Sequence, residues 1–140
     1  QVAMGRLDAA YRIGMQRGEL RTYGGRRVPL DWPRAEGVES PVTAAARGRF
    51  ARNAIIQGSA AELFKAWAAT VRHGLRPTGG QIVLCLHDEL LLHVPAPAAA
   101  EAVHVVHAAL EASARRWCGT DAVRFVADVA VVQRWADAKG

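Results

Sequence analysis

The sequence lacks long apolar runs and contains few cysteines. No apolar stretch reaches the roughly 18 residues that a membrane-spanning helix needs, so we expect no membrane partner. Cys85 and Cys118 are too few for a disulfide framework or a thiolate metal site. Both lie in apolar stretches, so we predict that they are buried and reduced, as in a cytoplasmic protein. The start at Gln1 shows no initiator Met and no signal pattern, so we expect a piece of a longer protein.

Lysine is also scarce, and the positive charge is almost entirely arginine. Residues 1–76 carry 13 Lys and Arg against 6 Asp and Glu, whereas residues 77–140 carry 5 against 7. A basic region suits a polyanion such as nucleic acid. A composition in which Arg replaces Lys throughout accounts for the same charge, so charge alone leaves both interpretations open.

The periodicity and the turn residues predict an α+β fold. Helices are predicted at 2–17, from Thr43 onwards, at 59–73 and at 97–117. The restart at residue 59 rests on Ser59 and Glu62, which form a capping-box pattern. Gly24-Gly25 predicts a tight hairpin in which both glycines have positive φ. Residues 29–41 hold three prolines and a glycine, which predicts a loop.

Residues 81–94 predict two apolar strands joined by a polar tip, His87-Asp88-Glu89. Carboxylates between apolar strands are costly unless they are exposed or paired with cations. Two adjacent acids at a hairpin tip suit a divalent cation such as Mg²⁺, which prefers oxygen ligands. An exposed polar turn explains all three residues as well. We predict that residues 123–132 form a further strand.

Arg49, Asn53 and Gln57 lie four residues apart and therefore share one helical face if the helix persists. Each step advances about 6 Å along the helix, which approaches two nucleotide steps of about 3.4 Å along one DNA strand. Their side chains can donate hydrogen bonds to the minor-groove acceptors that every base pair presents. A solvated helix face is the alternative, and the spacing leaves both open.

The order of these elements closely resembles the C-terminal part of family A DNA polymerases, the DNA polymerase I type. The stretch from Arg49 to Glu62 resembles the family element R-x-x-x-N-x-P-x-Q-G-[ST]-A-A-D. Leu86-His87-Asp88-Glu89-Leu90 resembles its motif C hairpin, V-H-D-E-L. Thr22–Arg27 resembles a T-x-x-G-R-R segment, and Trp135 matches a tryptophan near the family's C-terminus. Departures from the family pattern occur at Ile55, Glu62, Cys85, Ala130 and Val132.

The resemblance implies an incomplete polymerase palm: an antiparallel sheet of the motif C hairpin and the C-terminal strand, backed by helices. Residues 1–41 would be the segment leaving the fingers, with a helix and a small β-hairpin. Residues 42–140 would be the C-terminal part of the palm. The implied function of the parent protein is template-directed DNA synthesis on primer–template DNA with deoxynucleoside triphosphates, in replication and repair. The parent would be a cytoplasmic monomer.

The resemblance also implies roles for single residues. Asp88 would be a ligand of a two-metal Mg²⁺ site, Glu89 a supporting acid at that site, and His87 a neighbour of the primer terminus. Arg49, Asn53 and Gln57 would contact the minor groove of the primer–template.

Two of the family's elements have no counterpart in these 140 residues. They are motif A, which supplies the other metal-bridging Asp, and the motif B helix, which handles the nucleotide. We therefore expect only part of the Mg²⁺ site here and no activity of the isolated fragment. The alternative is a non-catalytic primer–template-binding module without a nucleotide site. An RNA-synthesising relative is disfavoured, because such proteins usually lack the acid that Glu89 provides.

Overall fold

The computed structural model describes residues 2–31, 41–119 and 123–138, and it confirms an α+β fold. The chain divides into two compact units, unit 1 (residues 1–62) and unit 2 (residues 63–140). The predicted division at residue 41 concerns polymerase subdomains and stays a prediction. No helix in the described ranges is both long enough and apolar enough to cross a bilayer.

Three α-helices and two antiparallel strand pairs make up the described structure. The helices are α1 (Val2–Met15), α2 (Pro41–Gly74) and α3 (Ala99–Cys118). The strands are β1 (Leu20–Arg21), β2 (Arg27–Val28), β3 (Gln81–Leu86) and β4 (Glu89–His93). Single-turn 3-10 helices occupy Arg76–Thr78, Ala96–Ala98 and Trp135–Ala138. Of the predicted loop at 29–41, residues 32–40 lie outside the described residues.

Unit 1 packs α1 against α2 at glycines. A Cβ added to Gly14 would lie 2.6 Å from the Cβ of Ala51, and one added to Gly48 would lie 2.8 Å from the Tyr11 ring. Such separations are shorter than any real contact, so the two helix backbones approach more closely than larger residues would permit. The core of unit 1 consists of Ala10, Leu20, Val28, Leu30 and Ala51.

Arg47 is a fully buried arginine in unit 1, with 0% of its surface exposed. Its Nε–H donates to the Gly14 carbonyl oxygen at 2.6 Å, and its Nη2 donates to the Met15 carbonyl oxygen at 2.8 Å. Those carbonyls belong to the last turn of α1, where backbone acceptors have no partner within the helix. A cation there also complements the helix dipole, so Arg47 stabilises the end of α1.

Helix α2 is continuous through Gly58, and the predicted restart at Ser59 is therefore wrong. The Ser59 hydroxyl donates to the Ile55 carbonyl oxygen one turn earlier, at 2.6 Å, as side chains inside helices do. Glu62 instead bonds to the hairpin turn of unit 1. Ser59 and Glu62 have the spacing of a capping box, but neither side chain caps a helix end: Ser59 bonds to Ile55 and Glu62 to the hairpin turn.

The hairpin of unit 1 has a longer connection than the predicted two-residue turn. Strands β1 and β2 pair with Leu20 opposite Val28, and residues 22–26 connect them. Within this connection Gly25 has a positive φ of 86°, whereas Gly24 does not. The prediction that both glycines need positive φ is wrong, because a five-residue connection here needs one left-handed residue.

Unit 2 has its core between α3 and the second half of α2. The buried residues are Trp67, Val71, Leu75, Ala102, Val106, Ala109 and Leu110. The Trp67 indole Nε1–H donates to the Val106 carbonyl oxygen at 3.0 Å. Gly119 has a φ of 62° and donates its N–H to the Arg115 carbonyl oxygen, which confirms the predicted helix end.

Strands β3 and β4 form the predicted apolar hairpin, but the sheet stops at two strands in the described residues. The predicted strand at 123–132 does not form, because a strand needs a hydrogen-bonded neighbour and none of the described residues pairs with this segment. The prediction that both cysteines are buried is also wrong: Cys85 is exposed and Cys118 is half-buried. Apolar residues of β3 are likewise open to solvent, Val83 at 51%.

Candidate functional site

The tip of the β3–β4 hairpin carries three polar residues in a row. His87 and Asp88 form the turn, and Glu89 begins β4 opposite Leu86. His87 has a φ of 53°, in the left-handed region that non-glycine residues seldom adopt. All three side chains are exposed. The fold therefore presents His87, Asp88 and Glu89, called the hairpin tip below, to solvent at the end of a paired ladder.

The chemistry of the hairpin tip suits a hard divalent cation. Asp88 and Glu89 offer carboxylate oxygens, which are the ligands that Mg²⁺ prefers. Across the described ranges, no group of three His, Cys, Asp or Glu side chains stands close enough to hold a metal ion. Two exposed carboxylates make a partial donor set, so the residues fit such a cation only in company with further ligands.

A second group of polar residues lies on α2 in unit 1. Arg49, Asn53 and Gln57, called the donor row below, are all exposed. Because α2 is unbroken from Pro41 to Gly74, the three side chains do lie on one helical face. They present guanidinium and amide N–H donors along just over two turns of helix.

The hairpin turn of unit 1, residues 22–26, is attached to α2 just after the donor row. Glu62 accepts hydrogen bonds from the Thr22 hydroxyl and from the Gly24 N–H, the latter at 3.0 Å. Its carboxylate also lies 3.5 Å from Nε of Arg26. The Ser59 hydroxyl oxygen accepts the Tyr23 N–H at 3.0 Å. These bonds fix the turn to the helix.

Sequence reasoning missed this attachment, although one signal for it was present. The signal is that Glu62 is the single acid between Phe50 and Leu75. In the structure its side chain is only 12% exposed. A nearly buried carboxylate needs donors or cations around it. The T-x-x-G-R-R segment supplied them, but the pairing joins residues 40 positions apart and local patterns do not reveal it.

Comparison with known proteins identifies a family. DNA polymerase family A matches residues 7–137. The thermostable DNA polymerase I of Thermus caldophilus is 33% identical over 136 residues, which are 96% of this chain and 15% of that protein. DNA polymerase I of Chloroflexus aurantiacus is 37% identical over 91 residues, which are 64% of this chain and 9% of that protein. The chain thus spans a small part of the length of these relatives.

A solved structure resembles the chain as well. It is the POL domain of Pol1 from M. smegmatis in complex with DNA primer-template and dNTP. The TM-score is 0.63 with 30% sequence identity, and the match covers 76% of this chain and 19% of that one. The sequence and the fold comparisons therefore both match DNA polymerases.

Proposed function

Because this chain belongs to DNA polymerase family A, we propose that its parent protein carries out template-directed DNA synthesis. The observation that carries this proposal is the family match over residues 7–137, which includes both the donor row and the hairpin tip. The similar polymerase domain that holds primer-template and dNTP supports the same substrates here. This chain would supply the motif C hairpin and part of the DNA-binding surface.

In this proposal Asp88 and Glu89 hold Mg²⁺ together with carboxylates from outside this chain. When bound, the metal ions would favour the ionised primer 3′-hydroxyl and stabilise the pyrophosphate leaving group. The exposed tip lets Asp88 approach a primer end without rearrangement of β3 or β4. The paired strands β3 and β4 end at the turn that carries Asp88, so its backbone has a defined place at the end of the hairpin.

His87 would lie at the primer terminus in the same proposal. His87 is exposed in the turn directly before the two acids, and its backbone has a left-handed φ of 53°. An imidazole there can exchange hydrogen bonds with the sugar or the base edge at the primer end. Its role would be to orient the primer terminus rather than to bind metal.

The donor row would bind the primer–template in the minor groove. Its exposed guanidinium and amide groups match the acceptors, purine N3 and pyrimidine O2, that line this groove. Because these acceptors are almost the same for all base pairs, the contact would hold the duplex without reading its sequence. A polymerase that copies any template needs this property.

The experiment is primer extension by the full-length parent with Mg²⁺ and the four deoxynucleoside triphosphates, with duplex binding measured in parallel. The proposal predicts template-dependent extension. Binding without extension would support a non-catalytic primer–template-binding module instead. The isolated 140-residue chain serves as a control and should extend no primer, because two carboxylates do not complete the metal site.

A further inference from the structure

We propose that Arg26 contacts a DNA phosphate beside the donor row and that Glu62 is the positioning residue that holds Arg26 there. The inference rests on the proposed function, since it requires that the donor row binds duplex DNA. It adds a cation from the β1–β2 hairpin to a surface otherwise formed by α2.

The first observation is the orientation of the Arg26 guanidinium. Glu62 lies 3.5 Å from its Nε, while its Nη1 and Nη2 groups donate no hydrogen bond within the described residues. The Arg26 side chain is 54% exposed, against 12% for Glu62. The carboxylate therefore lies at the stem-side edge of the guanidinium, and about half of the Arg26 side chain stays exposed.

The second observation is where that guanidinium lies. A Cβ added to Gly58 would be 3.3 Å from Nη2 of Arg26 and 2.6 Å from Cγ2 of Thr22. Gly58 directly follows Gln57, the last member of the donor row. The absence of a side chain at Gly58 lets the hairpin turn pack on the helix and brings Arg26 next to the end of the row.

The geometry of the minor groove indicates which DNA group the Arg26 guanidinium would contact. Consecutive residues point about 100° apart around a helix, so Arg26 over Gly58 lies to the side of Gln57. The groove is about 6 Å wide and is bordered by the two phosphate backbones. A cation beside side chains that reach the base edges therefore meets a phosphate. A guanidinium whose Nη1 and Nη2 donate no hydrogen bond within the described residues keeps donors for phosphate oxygens, which it can bind through parallel hydrogen bonds.

The test is the salt dependence of duplex affinity, measured on the full-length parent. Arg26→Ala should lower the slope of log affinity against log salt by about 0.9, the value for one lost phosphate contact. The loss should be the same on duplexes of different sequence. Arg26→Lys should keep most of the slope. Arg12→Ala is the matched control, since it removes an exposed arginine from the same unit, and it should leave the slope unchanged.

The role of Glu62 is tested by combining variants. Glu62→Ala should release the turn and reduce the slope as Arg26→Ala does, and Arg26→Ala should then add no further loss. Circular dichroism and thermal melting of each variant check the fold, and Arg26→Gln replaces Arg26→Ala if the latter melts early. An unchanged slope for folded Arg26→Ala or Arg26→Gln, or an equal loss in Arg12→Ala, would overturn the proposal. A parent that binds no duplex at all would instead refute the proposed function.

Discussion

Nε of Arg47 donates a hydrogen bond to the Gly14 carbonyl oxygen at 2.6 Å, joining α2 to the last turn of α1 through a side chain with no solvent exposure. Arg47→Met would fill much of the same space but remove both guanidinium hydrogen bonds, which leaves the Gly14 carbonyl oxygen with only the longer bond from the Arg17 N–H at 3.3 Å. The loss should cost about 1–3 kcal/mol. We expect faster hydrogen exchange of the backbone amides near the end of α1.

The measurement is native-state hydrogen exchange on the parent protein. Arg12→Met is the matched control, because Arg12 is an exposed arginine of α1 in the same unit and its loss should change the local stability by less than about 0.5 kcal/mol. Unchanged exchange in Arg47→Met would show that the buried guanidinium does not hold the two helices together.

The close approach of α1 and α2 makes two glycines of α1 respond oppositely to the same substitution. A methyl group at Gly14 would lie 2.6 Å from the Ala51 Cβ and 2.8 Å from the Arg47 carbonyl oxygen. Gly14→Ala should therefore destabilise unit 1 by about 1–3 kcal/mol, as overpacking does.

Gly5→Ala is the control for this prediction, because a Cβ at Gly5 meets nothing within 4 Å. It should stabilise α1 by up to about 1 kcal/mol through helix propensity alone. Thermal melting and hydrogen exchange of Gly14→Ala and Gly5→Ala measure these opposite changes in stability. Equal effects of both substitutions would mean that α1 and α2 do not pack at Gly14.

Local patterns predicted the parts of the fold that depend on neighbours in sequence. The apolar run around His87-Asp88-Glu89 folded as the predicted hairpin, and Gly119 ended α3 as predicted. The errors arose where the outcome depends on distant partners. Ser59 has the same spacing to Glu62 whether it caps a helix or binds a turn 36 residues away.

Dependence on distant partners also explains the other wrong predictions. It further explains why the sequence pattern alone did not assign roles to the site residues. Residues 123–132 have strand-forming side chains, but strand formation depends on a neighbouring strand to pair with. Burial of Cys85 depends on what covers β3, which the local sequence does not encode. For the site, spacing predicted a helical face for the donor row and a polar tip at Asp88. The roles in DNA and metal binding came from the family resemblance and stay proposals.

The donor row yields a prediction about DNA binding that is independent of sequence. Gln57→Ala removes an exposed amide donor and should weaken primer–template binding about three- to tenfold, as expected for about one net hydrogen bond. Asn53→Ala, which also removes an exposed amide donor, should weaken primer–template binding by a similar factor. Because minor-groove acceptors are nearly degenerate, the loss should be similar for every template sequence.

Fluorescence anisotropy with several labelled duplexes measures this effect in the parent protein. Gln16→Ala is the matched control, an exposed glutamine of the same unit that lies outside α2. Undiminished affinity in both donor-row variants, or a loss confined to one template sequence, would support a solvated helix face instead.

Asp88 carries the central claim, that the hairpin tip takes part in nucleotide transfer. Its carboxylate is exposed at the end of a paired ladder, where a metal ligand could reach the primer end. The most direct measurement is single-turnover nucleotide incorporation by the parent protein, comparing Asp88→Ala with Asp128→Ala, an exposed aspartate of the same unit. We predict that Asp88→Ala lowers the rate by about a thousandfold or more with duplex binding intact, equivalent to several kcal/mol of transition-state stabilisation, whereas Asp128→Ala stays near wild type. A rate for Asp88→Ala within about tenfold of wild type, roughly 1.4 kcal/mol, would contradict the account.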